Sequence, residues 1–165
     1  MRLEGSCHCG KVRFSVQSRQ PYPFNLCYCS VCRKTGGGGG YAINLGADHG
    51  SLQIEGADHI SVYRVGTPNS DTGEIKNNEA RRSFCRHCGS ALWVWDPRWP
   101  ELVHPFASAV DTELPTPPQR THMMRAFKAS WVPVHLEPGD SSFDEYPDES
   151  LAEWHRRIGL GGEST

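Results

Sequence analysis

The chain's seven cysteines fall into three tight groups: Cys7 and Cys9 in GSCHCGK, Cys27, Cys29 and Cys32 in NLCYCSVCRKTGGGGG, and Cys85 and Cys88 in FCRHCGS. Thiolates at such spacing are a donor set for zinc, which holds them in a tetrahedron at ~2.3 Å. An odd number of thiols cannot pair completely as disulfides, and a reducing compartment would disfavour the bonds anyway. Cysteines serving only as small apolar core residues would be scattered rather than clustered.

The first and last groups fit one ion. Cys85-x-x-Cys88 can bring its sulfurs roughly 3.8 Å apart from a tight knuckle, the separation a zinc tetrahedron requires. Cys7-x-Cys9 can do the same, because alternate residues of an extended segment share a face. Gly10 and Gly89 follow the two pairs and allow the sharp turn each needs. Cys7, Cys9, Cys85 and Cys88 therefore make a closed structural zinc site, with His8 and His87 as alternative ligands inside the same pairs. That leaves Cys27, Cys29 and Cys32 for a second ion. Three protein ligands with one open position is the pattern of a catalytic zinc, so the fourth partner is water or a substrate thiol. The competing reading is a structural site completed by a distant histidine, His49, His59, His104 or His122. Either way, two Zn²⁺ per chain are expected.

Thiolate ligands add negative charge, and the cations Lys11, Arg13, Arg33, Lys34, Arg81, Arg82 and Arg86 stand beside the groups, as solvated surface residues would also do. The run Gly36–Gly40 reads either as a flexible linker or as bare backbone on which a ligand can lie, offering N–H groups to anionic oxygens. Strand-like segments on both sides favour the second reading.

Short strands must position these groups. KVRFSV alternates, with Val12, Phe14 and Val16 on one face. SLQIE repeats the pattern with Leu52 and Ile54, and HISVYRV is strand-like through its β-branched residues. SALWVW is apolar on both faces and belongs deep in the core, while YAINL, LVHPFAS and MMRAF are weaker strands. Turn-rich GADHG, EGADH, GTPNSDTGEIKNN and DTELPTPPQRT punctuate them, which predicts a mainly antiparallel β domain. Only DESLAEWHRR reads as helical, capped by Asp148 or Ser150. The acidic stretch 137–149 reads as a solvated strap.

The 165 residues suit one domain with a real core. A formal charge of −2 supplies no basic field for nucleic acid. No segment is apolar enough to cross a membrane, and MRLEGSCHCGK lacks the pattern of an export signal, so a cytoplasmic protein is expected. No motif specifies an oligomeric state.

GSCHCGKVRFSV, CYCSVCRKTGG, RRSFCRHCGSALW and HMMRAFKASWV, in that order, resemble the glutathione-dependent formaldehyde-activating enzyme (GFA) family from about Gly5 to about Trp131. The resemblance implies a zinc-stapled β-tent fold over residues 1–136. Residues 137–165, with one short C-terminal helix, would be part of that domain or packed on it. It also implies a structural zinc on Cys7, Cys9, Cys85 and Cys88 and an activity-linked zinc on Cys27, Cys29 and Cys32. The implied reaction joins formaldehyde to glutathione, giving S-(hydroxymethyl)glutathione, in the carbon–sulfur lyase class. Arg33 and Lys34, next to the trio, would then meet the carboxylates of glutathione, with Arg125 and Lys128 as remoter partners. The glycine run and GTPNSDTGEIKNN depart from the family pattern. Besides an enzyme, a non-catalytic carrier of glutathione or another small thiol and a zinc-stabilised interaction module fit these residues.

Overall fold

The computed structural model describes residues 1–19, 24–36, 38–68, 70 and 72–159. In chain order the described strands and helices are β1 (Arg2–Ser6), β2 (Arg13–Gln17), β3 (Phe24–Cys27), α1 (Ser30–Gly36), β4 (Ala42–Asn44), β5 (Ala47–Asp48), β6 (Gln53–Glu55), β7 (Ile60–Tyr63), β8 (Gly66–Pro68), β9 (Ile75–Asn77), β10 (Arg81–Cys85), β11 (Ala91–Trp95), β12 (Leu102–Pro105), β13 (Arg120–Met123), β14 (Ser141–Ser142) and α2 (Leu151–Arg157). They form sheets ordered β1-β2-β6, β5-β12-β11-β10-β7 and β14-β13-β3-β4, with β8-β9 as a separate hairpin. The fold is mainly β, as the turn-punctuated sequence predicts. Pairing is antiparallel except where β13 runs parallel to β3 and to β14.

The alternation of β2, begun one residue before it, buries Val12, Phe14 and Val16 at 0, 4 and 1% exposure. They pack against the five-stranded sheet, with the Phe14 ring edge-on to Trp93 at 5.3 Å. The SALWVW segment is β11, and Leu92, Trp93 and Val94 lie in the core as its composition requires. SLQIE keeps its expected inward face only at Leu52, which packs against the core: β6 is exposed throughout and Ile54 is 39% exposed, because β6 forms the edge of its sheet.

Along β3 the alternation divides two clusters. Leu26 and Tyr28 pack with Val132 on one side, while Cys27 joins Cys32, Ala42, Val94, Phe106 and Met123 on the other. The cysteine trio thus sits where the four-stranded and five-stranded sheets meet.

Two expectations of local structure are corrected. The C-terminal helix is not the only one, since α1 carries Cys32. Its first turn is capped by sulfur: the Cys32 N–H donates to Cys29 Sγ at 3.3 Å, in the place where capping rules look for an oxygen. MMRAF is not a strand. The strand ends at Met123, Met124 takes a positive φ of 61°, and Arg125–Phe127 is a 3-10 turn.

Helix α2 is the predicted one, with Ser150 and Glu153 forming a reciprocal capping box. Its Trp154 is buried and donates from Nε1 to Gln119 Oε1 at 3.0 Å. Among the described residues no helix is long and apolar enough to cross a membrane.

Candidate metal centres and the adjoining cavity

The sulfurs of Cys7, Cys9, Cys85 and Cys88 all lie within 4.8 Å of one another. Cys7 and Cys9 Sγ are 3.5 Å apart and Cys9 and Cys85 Sγ 3.7 Å apart, near the roughly 3.8 Å of a zinc tetrahedron. Two similar knuckles hold them. In the first, Cys7 N donates to Val12 O at 3.0 Å and Gly10 N to Cys7 O at 2.9 Å. In the second, Cys85 N donates to Ser90 O at 3.0 Å and Gly89 N to Cys85 O at 2.9 Å. Gly10 and Gly89 close these turns with φ of 72° and 75°, a region where side chains are strained.

Ser90 ties the knuckles together. Its hydroxyl oxygen accepts from His8 N at 3.1 Å and lies 3.3 Å from Cys88 Sγ. The serine hydroxyl pulls the Cys88 thiol down to about 5. Val12 N–H donates to Cys7 Sγ at 3.3 Å. Such donors suit thiolates, so this donor set fits a divalent soft-ligand ion. The imidazoles of the two knuckles are not part of the group: His87 Nε2 turns to His59 Nδ1 at 3.1 Å.

The trio is the second group. Cys27 ends β3, Cys29 caps α1 and Cys32 lies within it, and their sulfurs are mutually within 4.8 Å. Among the described residues no histidine or carboxylate joins them. His49 Nδ1 meets Pro100 O at 3.2 Å, His104 Nδ1 meets Leu45 O at 3.1 Å, and His122 Nδ1 meets the Tyr28 hydroxyl at 2.8 Å. None of the four histidines considered as a distant cap is in this group.

Three thiols so close cannot all ionise unaided. Hydrogen bonds from Cys27 and Cys32 hold the Cys29 thiol far below its ordinary value, while the same contacts push Cys27 far above it. A dication relieves that conflict by neutralising the sulfurs together, so the trio also fits a metal, with three ligands supplied by the chain.

Beside the trio lies a cavity of about 380 Å³ lined by Thr35, Tyr63, Arg82, Phe84, Ala91 and Phe106, among others. Arg82 connects the two, its Nη1 and Nη2 each 3.7 Å from Cys32 Sγ. Arg33 and Lys34 occupy the last turn of α1, Lys34 exposed and Arg33 half-buried, and neither lines this cavity. Arg125 donates to Ser142 Oγ, and Lys128 Nζ donates to Ala129 O and Val132 O, so both are engaged away from the trio.

The placement of Arg82 was missed by sequence reasoning, although its signal was there. Arg82 precedes Cys85 by three residues on a strand, and that odd spacing puts the two on opposite faces.

Two glycines of the run, Gly36 and Gly40, serve as packing surface. A Cβ on Gly36 would meet Ala42 Cβ at 2.9 Å, and one on Gly40, at φ 89°, would meet Val132 Cγ2 at 2.2 Å. At these two positions the bare backbone admits a protein neighbour. Gly37 lies outside the described residues.

Comparison with known proteins gives the family. The chain belongs to the glutathione-dependent formaldehyde-activating enzyme family, whose model matches residues 2–126. A curated Halomonas elongata protein named "Putative glutathione-dependent formaldehyde-activating enzyme" is 58% identical over 162 residues, covering 97% of this chain and 98% of its own. A crystal structure of a Rhodobacter sphaeroides protein is similar with a TM-score of 0.51 and 26% identity, over 70% of this chain and 92% of that one.

Proposed function

We propose that this protein is a two-zinc enzyme of the carbon–sulfur lyase class that makes or breaks the adduct of an aldehyde with glutathione or another small thiol, as in S-(hydroxymethyl)glutathione. The observation that carries this reading is the trio: three convergent sulfurs, no fourth protein donor among the described residues, and a cavity at their side. Cys7, Cys9, Cys85 and Cys88 hold the structural ion, and Cys27, Cys29 and Cys32 hold the second. A zinc ion bound there would keep a thiol deprotonated at neutral pH, where a free thiol has pKa ≈ 8.5.

The chain's own residues supply the rest. The Cys32 N–H directs its hydrogen at the sulfur of Cys29 and offsets its charge, and the Arg82 guanidinium reaches from Cys32 Sγ to the cavity. Phe84 and Phe106 form apolar walls that limit water around the reacting atoms. Arg33 and Lys34, on the last turn of α1, are the cations this reading assigns to the carboxylates of glutathione, outside the cavity. In this reading the domain spans residues 1–136, and the described residues 137–159 pack on it through β14 and Trp154. Seven unpaired thiols suit a reducing, cytoplasmic setting.

Thiols add to formaldehyde without help, so the test is a rate. Exchange between formaldehyde and glutathione, followed by NMR with the zinc-loaded protein, should accelerate in proportion to protein. Cys29→Ser should remove that acceleration while keeping the fold. Glutathione binding without acceleration would instead identify a carrier, and absence of binding a structural module.

A further inference from the structure

The alternation of β10 sends Ser83 and Cys85 to one face and Arg82 and Phe84 to the other. Arg82 stands opposite Tyr63 of β7 and Val94 of β11, so it faces the trio's side of the five-stranded sheet. A guanidinium carries five N–H donors in a rigid fork. Two of its nitrogens lie 3.7 Å from Cys32 Sγ. The third, Nε, is enclosed and has no acceptor. Enclosed donors are normally satisfied, and one left without a protein acceptor marks a place for water or a ligand oxygen. No carboxylate forms an ion pair with Arg82 among the described residues.

Arg82 is also the cavity's single charged wall residue among those described, and its neighbours offer little competition. Phe84, Phe106 and Ala91 have no polar side-chain atoms, Thr35 Oγ1 already donates to Val31 O at 2.7 Å, and Ser83 and Tyr63 add only neutral hydroxyls. When a thiol adds to an aldehyde, one S–C bond forms and the C–O π bond breaks. The electron pair moves onto oxygen, which carries the charge until it takes up the proton the thiol released. The charge appears on an atom two bonds from the sulfur. A donor fixed beside one cysteine of the trio, and opening into the cavity, lies where that oxygen arrives.

We propose that Arg82 is the oxyanion donor of this reaction: its guanidinium, spanning Cys32 Sγ and the cavity, takes the aldehyde-derived oxygen as charge develops and releases it as a hydroxyl. This rests on the reading of the trio as a thiol–aldehyde site. Apolar walls strengthen such a donor, because the charge is not shared with water. The rival role for Arg82 is charge balance on the metal thiolates, which predicts a different loss.

Full-length zinc-loaded protein, Arg82→Met and Arg82→Lys are compared for zinc content, glutathione Kd and the NMR rate of formaldehyde–glutathione exchange. Arg82→Met should keep both zincs and a glutathione Kd within about threefold, while the exchange rate falls by roughly 10²–10³, the cost of one oxyanion donor. Arg82→Lys should recover part of the rate, since it keeps the charge and loses the fork. A second reading uses the unaltered protein. The Arg82 Nε–H resonance, assigned by its absence in Arg82→Lys, should shift when formaldehyde and glutathione are added together and stay in place with glutathione alone. Unchanged exchange in Arg82→Met, loss of the second zinc from it, or an unmoved resonance would each overturn the assignment. A wild-type protein that accelerates no exchange would overturn the enzyme reading, and this assignment with it.

Discussion

The carboxylate of Asp140 lies 3.4 Å from His122 Nε2, and both side chains are 2% exposed. The other ring nitrogen of His122 meets the Tyr28 hydroxyl at 2.8 Å. Burial pushes Tyr28 up to about 12, so its hydroxyl stays protonated and donates to Nδ1, which leaves the imidazole proton on Nε2 facing Asp140. Tyr28 stands between Cys27 and Cys29 in the chain and points to the opposite side of β3. A segment near the C-terminus therefore braces the trio's strand from behind.

That brace should be sensitive to acid. Burial holds His122 below the ordinary imidazole value. Burial alone would raise Asp140, but N–H bonds from Arg120 and Glu137, at 2.8 and 3.0 Å, hold it below the usual carboxylate value. Both groups then bind protons more readily when unfolded, so stability is complete above about pH 6.5 and declines as pH falls, first through His122 and then, below about 3.8, through Asp140. Thermal melts of His122→Gln should show a flatter dependence between pH 7 and 5 than wild type. Parallel curves would exclude the assignment. Asp140→Asn should cost about 1–3 kcal/mol, because two backbone donors and the buried His122 lose a charged acceptor.

Cys85 is fully buried and its knuckle joins β10 to the hairpin of β1 and β2. Cys85→Ser should therefore unfold the protein or lower its melting temperature by more than about 10 °C, since closed metal sites contribute directly to folding. Cys29→Ser should release one metal equivalent and leave the circular dichroism spectrum intact. Ser90→Ala, which removes the acceptor for His8 N, should cost only about 1 kcal/mol in a urea titration.

Glycines of the run should differ sharply. Gly38→Ala meets nothing within 4 Å and should be neutral in a melt. Gly40→Ala must combine a positive φ of 89° with a 2.2 Å approach to Val132, and should cost about 1–3 kcal/mol. Equal effects at the two positions would argue for a flexible linker instead.

Trp154 is 2% exposed and hydrogen-bonded to Gln119, next to β13. Trp154→Ala should cost about 3–5 kcal/mol in denaturant unfolding, the scale of an emptied aromatic site. A cost under 1 kcal/mol would mean that α2 is only loosely attached.

Legibility in the sequence followed the range of the interaction. The buried face of β2 was readable because Val12, Phe14 and Val16 alternate within six residues. The grouping of sulfurs was readable because metal spacing is local within each pair. Helix α1 was not, since its cap is the sulfur of Cys29 and a seven-residue helix has little periodicity to detect. The parallel pairing of β13 with β3 joins segments about a hundred residues apart, and no local pattern encodes it. Arg82 could be noted as a neighbour of Cys85, but its approach to Cys32 depends on the register of β10 with β7 and β11.

The most direct test of the central claim uses cobalt in place of zinc. Cobalt-loaded wild type, titrated with glutathione, should show a saturable rise in sulfur-to-cobalt charge-transfer absorbance as a fourth thiolate joins Cys27, Cys29 and Cys32, and Cys29→Ser should show none. A trio that is loaded with cobalt yet spectrally indifferent to glutathione would contradict the account, because its open position would then not receive a thiol.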